Sequence, residues 1–183
     1  LIFISNTRDN LIKSYIQNSF IDENVQAVIT TTSFSSVDFN EPTTNQNLWD
    51  TLGVPIFQFL SSTRTRDEWT LSTRGLHPLD LSLQVVLPEL DGRITTKPCS
   101  FKSVIKSDDH LSTPVQQNQP DTSSIDWSLS LLSSWITLRQ TVAKDRKITI
   151  IIANYPVRDG RLANGVGLDT PTSVVQILQW LQE

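Results

Sequence analysis

The chain is 183 residues long, 38% hydrophobic and 19% charged, enough apolar material for one substantial core or two small ones. Its formal net charge of -4 leaves no basic footprint for nucleic acid, and no run of roughly 18 apolar residues is present to cross a membrane. Cys99 is the only cysteine, which excludes an intrachain disulfide and a thiolate zinc cluster and makes the cytoplasm the simplest expected setting.

In chain order, Leu1 to Ser5 and Ala27 to Thr32 read as strands flanking an amphipathic helix on which Leu11, Ile12, Tyr15, Ile16 and Phe20 share a face, a βαβ unit. Val54 to Leu60 reads as a third strand. A short helix is expected near Thr65, where Thr65 and Glu68 have capping-box spacing. A second is expected from Pro78 to about Leu87, with Pro88 as its stop. Ile94 to Phe101 alternates loosely, and Pro98 confines it to an edge strand or hairpin arm. Lys106 to Ser124 is polar, holds Pro114, Pro120 and a Gln/Asn cluster, and reads as a linker or long surface loop.

Ile125 to Ala143 reads as a helix with Leu129, Leu132, Trp135 and Ile136 on one face. The chain then repeats the β-loop-α pattern: an apolar strand from Ile148, a loop holding Gly160, Gly165 and Gly167, and a helix with Val174, Leu178 and Leu181 on one face. Thr170 is the expected N-cap with Pro171 at the first helical position, and removing the cap should cost about 1 kcal/mol. The five tryptophans, Trp49, Trp69, Trp127, Trp135 and Trp180, read as packing. These elements divide the chain into an α/β region (1–105), a polar linker or surface loop (106–124), and a helix plus β-loop-α unit (125–183). Strands alternating with helices predict an α/β fold, a mostly parallel sheet flanked by helices in a Rossmann-like or flavodoxin-like three-layer sandwich. Ligands in such sheets sit beyond the carboxyl ends of the strands, where the loops after Val86 and after Asn154 are expected.

A glycine-bearing loop between strand and helix frees backbone N–H groups that attract anions, and this one also carries Arg158 and Arg161. Its spacing matches neither G-x-G-x-x-G nor G-x-x-x-x-G-K-[ST]. The sequence Pro88 to Gly92, PELDG, is by itself ordinary turn chemistry, with Asp91 bonding nearby backbone and Gly92 taking positive φ. Taken alone, these features describe a non-catalytic α/β module that holds a small anion or a partner protein.

Two longer blocks add to this. NYPVRDGRLANGVGLDTPTS, from Asn154 to Ser173, resembles a segment of the CobN family, the large subunit of ATP-dependent cobaltochelatase. RGLHPLDLSLQVVLPELDGRI, from Arg74 to Ile94, resembles a second block of that family, shared in altered form with the large H subunit of magnesium chelatase. The DGR-x-x-NGVGLDTP form is closer to the cobalt branch. Val157, Ala163 and Thr172 depart from the family's commoner polar residue, Gly and Ala without altering the charge pattern. The resemblance covers nearly all of the chain and family members are several times longer, so an internal segment is expected. The lack of Met and the apolar start at Leu1 agree with this.

The resemblance implies insertion of Co²⁺ into a corrinoid precursor of the hydrogenobyrinic acid a,c-diamide type in cobalamin biosynthesis. It also implies that ATP is hydrolysed by an AAA+ partner subunit and its companion subunit, and that the segment alone is inactive. Insertion of Mg²⁺ into protoporphyrin IX is the alternative. The absence of a Walker motif here fits that division of labour. Metal insertion requires loss of two pyrrole protons and escort of a hydrated cation, work suited to a carboxylate base that doubles as a transient oxygen ligand. Glu89 is the first candidate for base and metal ligand. Asp91 is the second candidate catalytic acid, the one better suited to a structural role, and near enough in sequence for mutual repulsion to raise the proton affinity of one of them.

Arg74, His77, Arg93, Arg158, Asp159, Arg161 and Asn164 are the candidates for holding substrate, since arginine forks suit carboxylate side chains. Each has a purely structural counterpart. Arg93 can pair with Glu89 or Asp91, His77 can remain solvated before its helix, and Arg74 can bridge to Asp80 or Glu68. Arg158, Asp159 and Arg161 can close their own ion network, with Asn164 and Asp169 shaping the loop. His110, the other imidazole, lies in the polar segment, so no two-histidine metal site is expected.

Overall fold

The run IFQFL opens β2 (Ile56–Thr65), whose first five residues are all buried. A strand that is apolar on both faces needs neighbours on both edges and cover on both sides. It obtains the neighbours from β1 (Val28–Thr30) and β3 (Ile94–Asp108), both parallel to it, while β4 (Thr113–Pro120) runs antiparallel to β3 to complete the order β1-β2-β3-β4. The computed structural model describes residues 10–37, 49–50, 52–108, 113–152, 163, 165 and 167–182. Contacts divide them into two units, Leu1–Thr141 and Val142–Glu183, each considered by itself below.

In the first unit helices cover both faces of the sheet, as the α/β expectation requires. On one side α1 (Asn10–Asp22) sends Ile12, Ile16 and Phe20, an i, i+4, i+8 row, into a cluster with Val28, Trp49 and Ile56. Leu11 and Tyr15, expected on the same face, belong to the neighbouring row and are 82% and 54% exposed. On the other side Phe57, Phe59 and Cys99 pack with Ile125, Leu131 and Leu132 of α5 (Thr122–Gln140), while Trp135 meets Phe57 edge-on at 6.4 Å. The small buried residues Ser124 and Ser128 let α5 approach the sheet, and Ser128 Oγ donates to the Ser124 carbonyl at 2.7 Å. Asp121 caps α5 by accepting from Ser124 N, three residues before the expected start. The first strand expected, Leu1 to Ser5, lies outside the described residues.

Pro98 does not place β3 at an edge. Two register shifts flank it, with Leu60 opposite Pro98 and Ser61 opposite Ser100, and β4 begins pairing only at Ser100, so the missing N–H falls where no neighbour asks for it. Thr96 Oγ1 repairs the interrupted ladder by donating to the Gln58 carbonyl at 3.0 Å. The polar run expected as a linker from Lys106 to Ser124 instead carries the end of β3, all of β4 and the start of α5. Its prolines sit at the two ends of β4, leaving the Gln/Asn cluster free to pair with β3.

Pro88 does not stop its helix either. The helical path runs through α3 (Pro78–Leu81), a π turn (Ser82–Val86) and α4 (Leu87–Glu89). Pro88 has no N–H to give the carbonyl one turn back, and the wider turn, in which Leu87 N–H donates to Ser82 O, carries the chain past it. Two polar residues one turn apart on this path, Asp80 and Gln84, are buried against the sheet. Asp80 Oδ2 accepts from Thr63 N and Thr63 Oγ1 at 2.9 Å each, and Gln84 pairs with both backbone groups of Ser61 at 2.8 and 2.7 Å. They substitute for ladder bonds where the β2–β3 register slips.

Among the described residues of the second unit are a 3₁₀ turn (Ala143–Asp145) and α6 (Thr170–Trp180). The strand expected from Ile148 is not formed through Ile152, and Ile148 and Ile151 are 59% and 90% exposed. An all-apolar β-branched run becomes a strand only beside other strands, and no described strand pairs with it. α6 is capped by Asp169, not Thr170: Asp169 Oδ1 accepts from Thr172 N at 3.1 Å and Oδ2 from Thr172 Oγ1 at 2.8 Å.

Candidate functional site

The PELDG turn ends the helical path from Pro78 and feeds β3. Asp91 N–H donates to Pro88 O at 3.0 Å and Gly92 N–H to Glu89 O at 2.9 Å, while Gly92 takes φ of +70°, a conformation that L side chains rarely adopt. Because β2 and β3 are parallel, a crossover from the end of one returns to the starting edge of the other. The turn therefore lies at the amino edge of β3, where Ile94 pairs with Phe57, and not at the carboxyl edge where ligand loops were expected.

Asp91 and Arg93 form a buried ion pair there, Nη2 to Oδ2 at 2.6 Å, with side chains 0% and 1% exposed. Asp91 also accepts from Ser36 N at 3.0 and 2.8 Å and from Ser35 Oγ, so its carboxylate is enclosed by the loop that follows β1. Arg93 spends its remaining donors on the same loop and on β2. Nη1 reaches Thr32 O at 2.9 Å and Gln58 Oε1 at 2.8 Å, and Nη2 reaches Phe34 O at 3.2 Å and Ser36 Oγ at 3.0 Å. Its guanidinium also lies 5.7 Å from the Trp49 ring. A general base needs a lone pair that substrate can reach, and a substrate-holding arginine needs free N–H groups. Asp91 and Arg93 have neither, and together they knit the turn to the loop at 32–36.

Glu89 stands two residues away with the opposite disposition. It is exposed at the carboxyl end of α4, and its carboxylate forms no hydrogen bond or ion pair among the described residues. The two acids meet opposite surroundings, since one side chain is buried and the other faces solvent. Arg74 is also exposed and bridges to neither expected partner: Asp80 is committed to Thr63, and Glu68 closes the capping box with Thr65 at 2.9 Å. The backbone N–H of Thr65, foremost, and its hydroxyl hold the Glu68 carboxyl below its ordinary value.

His77 caps α3, with Nδ1 accepting from Leu79 N at 3.2 Å, which leaves Nε2 as its uncommitted nitrogen. The helical path separates His77 from Glu89 by roughly 18 Å at ordinary helical rise, so the two do not form one cluster. Among the described residues no three His, Cys, Asp or Glu side chains gather as a metal site. Arg158, Asp159, Arg161 and Asn164 lie outside the described residues, as does His110. Asp169 fixes the helix start, the loop-shaping role weighed for it.

Sequence reasoning missed Asp80, Gln84, Ser35 and Ser36. A polar pair at i, i+4 on an otherwise apolar helix would have flagged the first two, whereas nothing local marks two serines that meet Asp91 from more than fifty residues away.

A sequence model described as CobN/Magnesium Chelatase matches residues 1–183. The aerobic cobaltochelatase subunit CobN of a Sinorhizobium species is 33% identical over 177 residues, 97% of this chain and 14% of that protein. The corresponding CobN of Pseudomonas aeruginosa is 38% identical over 130 residues, 71% of this chain and 10% of that protein. Among solved structures, the catalytic subunit of cobaltochelatase from Mycobacterium tuberculosis superposes with a TM-score of 0.73 at 26% identity, covering 98% of this chain and 15% of that one. The chain thus spans about one seventh of the length of the first relative it matches.

Proposed function

The chain belongs to the CobN/magnesium chelatase family, and we propose that it serves as part of the tetrapyrrole-binding large subunit of a cobaltochelatase, with Glu89 as the base and transient cation ligand. The observation that carries this reading is the contrast within PELDG. The fold commits a complete buried ion pair to holding this turn and leaves one carboxylate, Glu89, exposed and uncommitted at its edge.

Removal of two pyrrole protons requires an acceptor that substrate can approach, and entry of a hydrated divalent cation requires an oxygen ligand that binds and releases. An exposed carboxylate such as Glu89 suits both tasks, and Arg74, exposed and without an ion pair among the described residues, lies on the same crossover as a cation for a substrate carboxylate. The metal is substrate in this scheme. Co²⁺ entering a corrinoid precursor is favoured over Mg²⁺ entering protoporphyrin IX because both CobN relatives are at least 33% identical. ATP hydrolysis is assigned to an AAA+ partner subunit and its companion.

The test is to titrate the intact large subunit with a hydrogenobyrinic-type ligand and with protoporphyrin IX, then to assay Co²⁺ and Mg²⁺ insertion with partner subunits present. Corrinoid binding and Co²⁺ insertion are expected. Preferential protoporphyrin binding with Mg²⁺ insertion would move the chain to the magnesium branch, and binding of neither would leave a non-catalytic module.

A further inference from the structure

Beyond the carboxyl end of β2 and beside the middle of β3, Arg66, Phe101, Lys102, Gln119 and Asp121 help to line a cleft of about 420 Å³. It lies at the other end of β2 from the PELDG turn, roughly 26 Å away at the rise of a strand, so it is separate from Glu89 and independent of the chelatase reading. The end of β2 running into α2 (Arg66–Leu71), β3, β4 and the cap of α5 meet there.

Arg66 is held in place by aromatic rings. Its guanidinium carbon lies 5.2 Å from the Trp69 ring and 5.1 Å from the Phe101 ring, and Phe101 is itself only 3% exposed. Arg66 Nε faces Asp121 Oδ1 at 3.5 Å, and no described residue takes the terminal N–H groups. Lys102 is half-buried on β3 and forms no ion pair among the described residues.

Two carboxylates share the lining, and Asp121 Oδ1 pairs with Arg66 at Nε, which leaves the edge formed by the terminal N–H groups open. Asp121 is committed to capping α5, and hydrogen bonding from Ser124 holds its carboxyl below the ordinary value. Asp67, also on the lining, is exposed. A planar guanidinium fixed by two rings, with its terminal donors unspent beside a second cation, is suited to a two-oxygen acceptor. We propose that this cleft binds a small molecule carrying a compact oxyanion, a carboxylate or a phosphate, through the terminal N–H groups of Arg66 and the ammonium of Lys102.

Calorimetric titration of the protein at low ionic strength with succinate in one arm and inorganic phosphate in the other tests this. Binding of at least one probe is expected, weakened about tenfold or more by Arg66→Lys, which keeps the charge but loses the fork, and by Lys102→Gln. Lys144→Gln, outside the cleft, should leave it unchanged. Succinate binding alone assigns a carboxylate ligand and phosphate binding alone a phosphate ligand. No heat in either arm up to millimolar probe overturns the proposal. Binding that ignores both cleft substitutions, or that Lys144→Gln weakens equally, also overturns it. Near-UV circular dichroism confirms the fold of each variant, and Lys102→Gln decides if Arg66→Lys fails to fold.

Discussion

Replacing Asp91 by Ala removes the partner of a guanidinium whose residue is only 4% exposed. Arg93 would then be a buried charge facing carbonyl and amide oxygens at Thr32, Phe34 and Gln58 that cannot neutralise it. Breaking one side of such a pair costs about 3–5 kcal/mol, a large share of the roughly 5–15 kcal/mol that stabilises a typical domain. The ion pair of Arg66 with Asp121 has side chains 44% and 18% exposed, and its separation should cost no more than about 1 kcal/mol. Urea unfolding followed by tryptophan fluorescence measures the difference, since Trp49 lies against Arg93. Melting should fall on the order of 10 °C for Asp91→Ala. The double substitution with Arg93→Met should lose less than the sum of the single losses, because neither charge is then stranded. A loss below about 1 kcal/mol for Asp91→Ala would refute the claim that this pair holds the turn.

Gln84→Leu should destabilise by about 1–3 kcal/mol, because it strands both backbone groups of Ser61; equilibrium unfolding measures it, and a neutral result would show that water or a shifted ladder replaces the bonds. At the start of α6, Thr172 hydroxyl and then backbone bonds hold the Asp169 carboxyl below its ordinary value, so its contribution is present above the unfolded carboxylate range and is lost as pH falls through the lowered folded value. Amide protection at Thr172 and Ser173, measured against the intrinsic exchange rate at each pH, should accordingly fall in acid and in Asp169→Ala, but not in Thr170→Ala. Ile151→Lys should reduce binding of an apolar dye without lowering the melting temperature, since that side chain is 90% exposed; a large drop in stability would mean that the run is buried in solution.

The sequence was most readable where short-range chemistry decides the outcome. Thr65 with Glu68 forms the capping box its spacing predicts, β1, β2 and β3 are parallel as the alternation of elements requires, and Gly92 takes the positive φ expected of its turn. It misled where proline was treated as a terminator. Pro88 is carried by a π turn, and Pro98 sits beside register shifts before β4 arrives, both responses of neighbouring backbone that no local rule encodes. The Thr170 cap failed because its neighbour Asp169 competes for the same N–H. Within the candidate site, the turn geometry of PELDG and a structural role for Asp91 were visible in the sequence, but the partners that bury Asp91 were not. Whether Asp91 or Glu89 remains open to solvent depends on Ser35 and Ser36, which reach the turn only through the fold. The strand expected from Ile148 has the right composition and lacks described neighbours, and a β-branched run expresses its preference only inside a sheet.

Glu89 is proposed to perform proton removal and cation transfer on a scaffold fixed by Asp91 and Arg93. Single-turnover Co²⁺ insertion by the intact large subunit carrying Glu89→Gln tests it most directly, with tetrapyrrole affinity and melting temperature measured on the same sample. A rate lower by about 10²- to 10⁴-fold is expected, while affinity and melting stay near those of the unsubstituted protein. Insertion at the full rate by Glu89→Gln would contradict it.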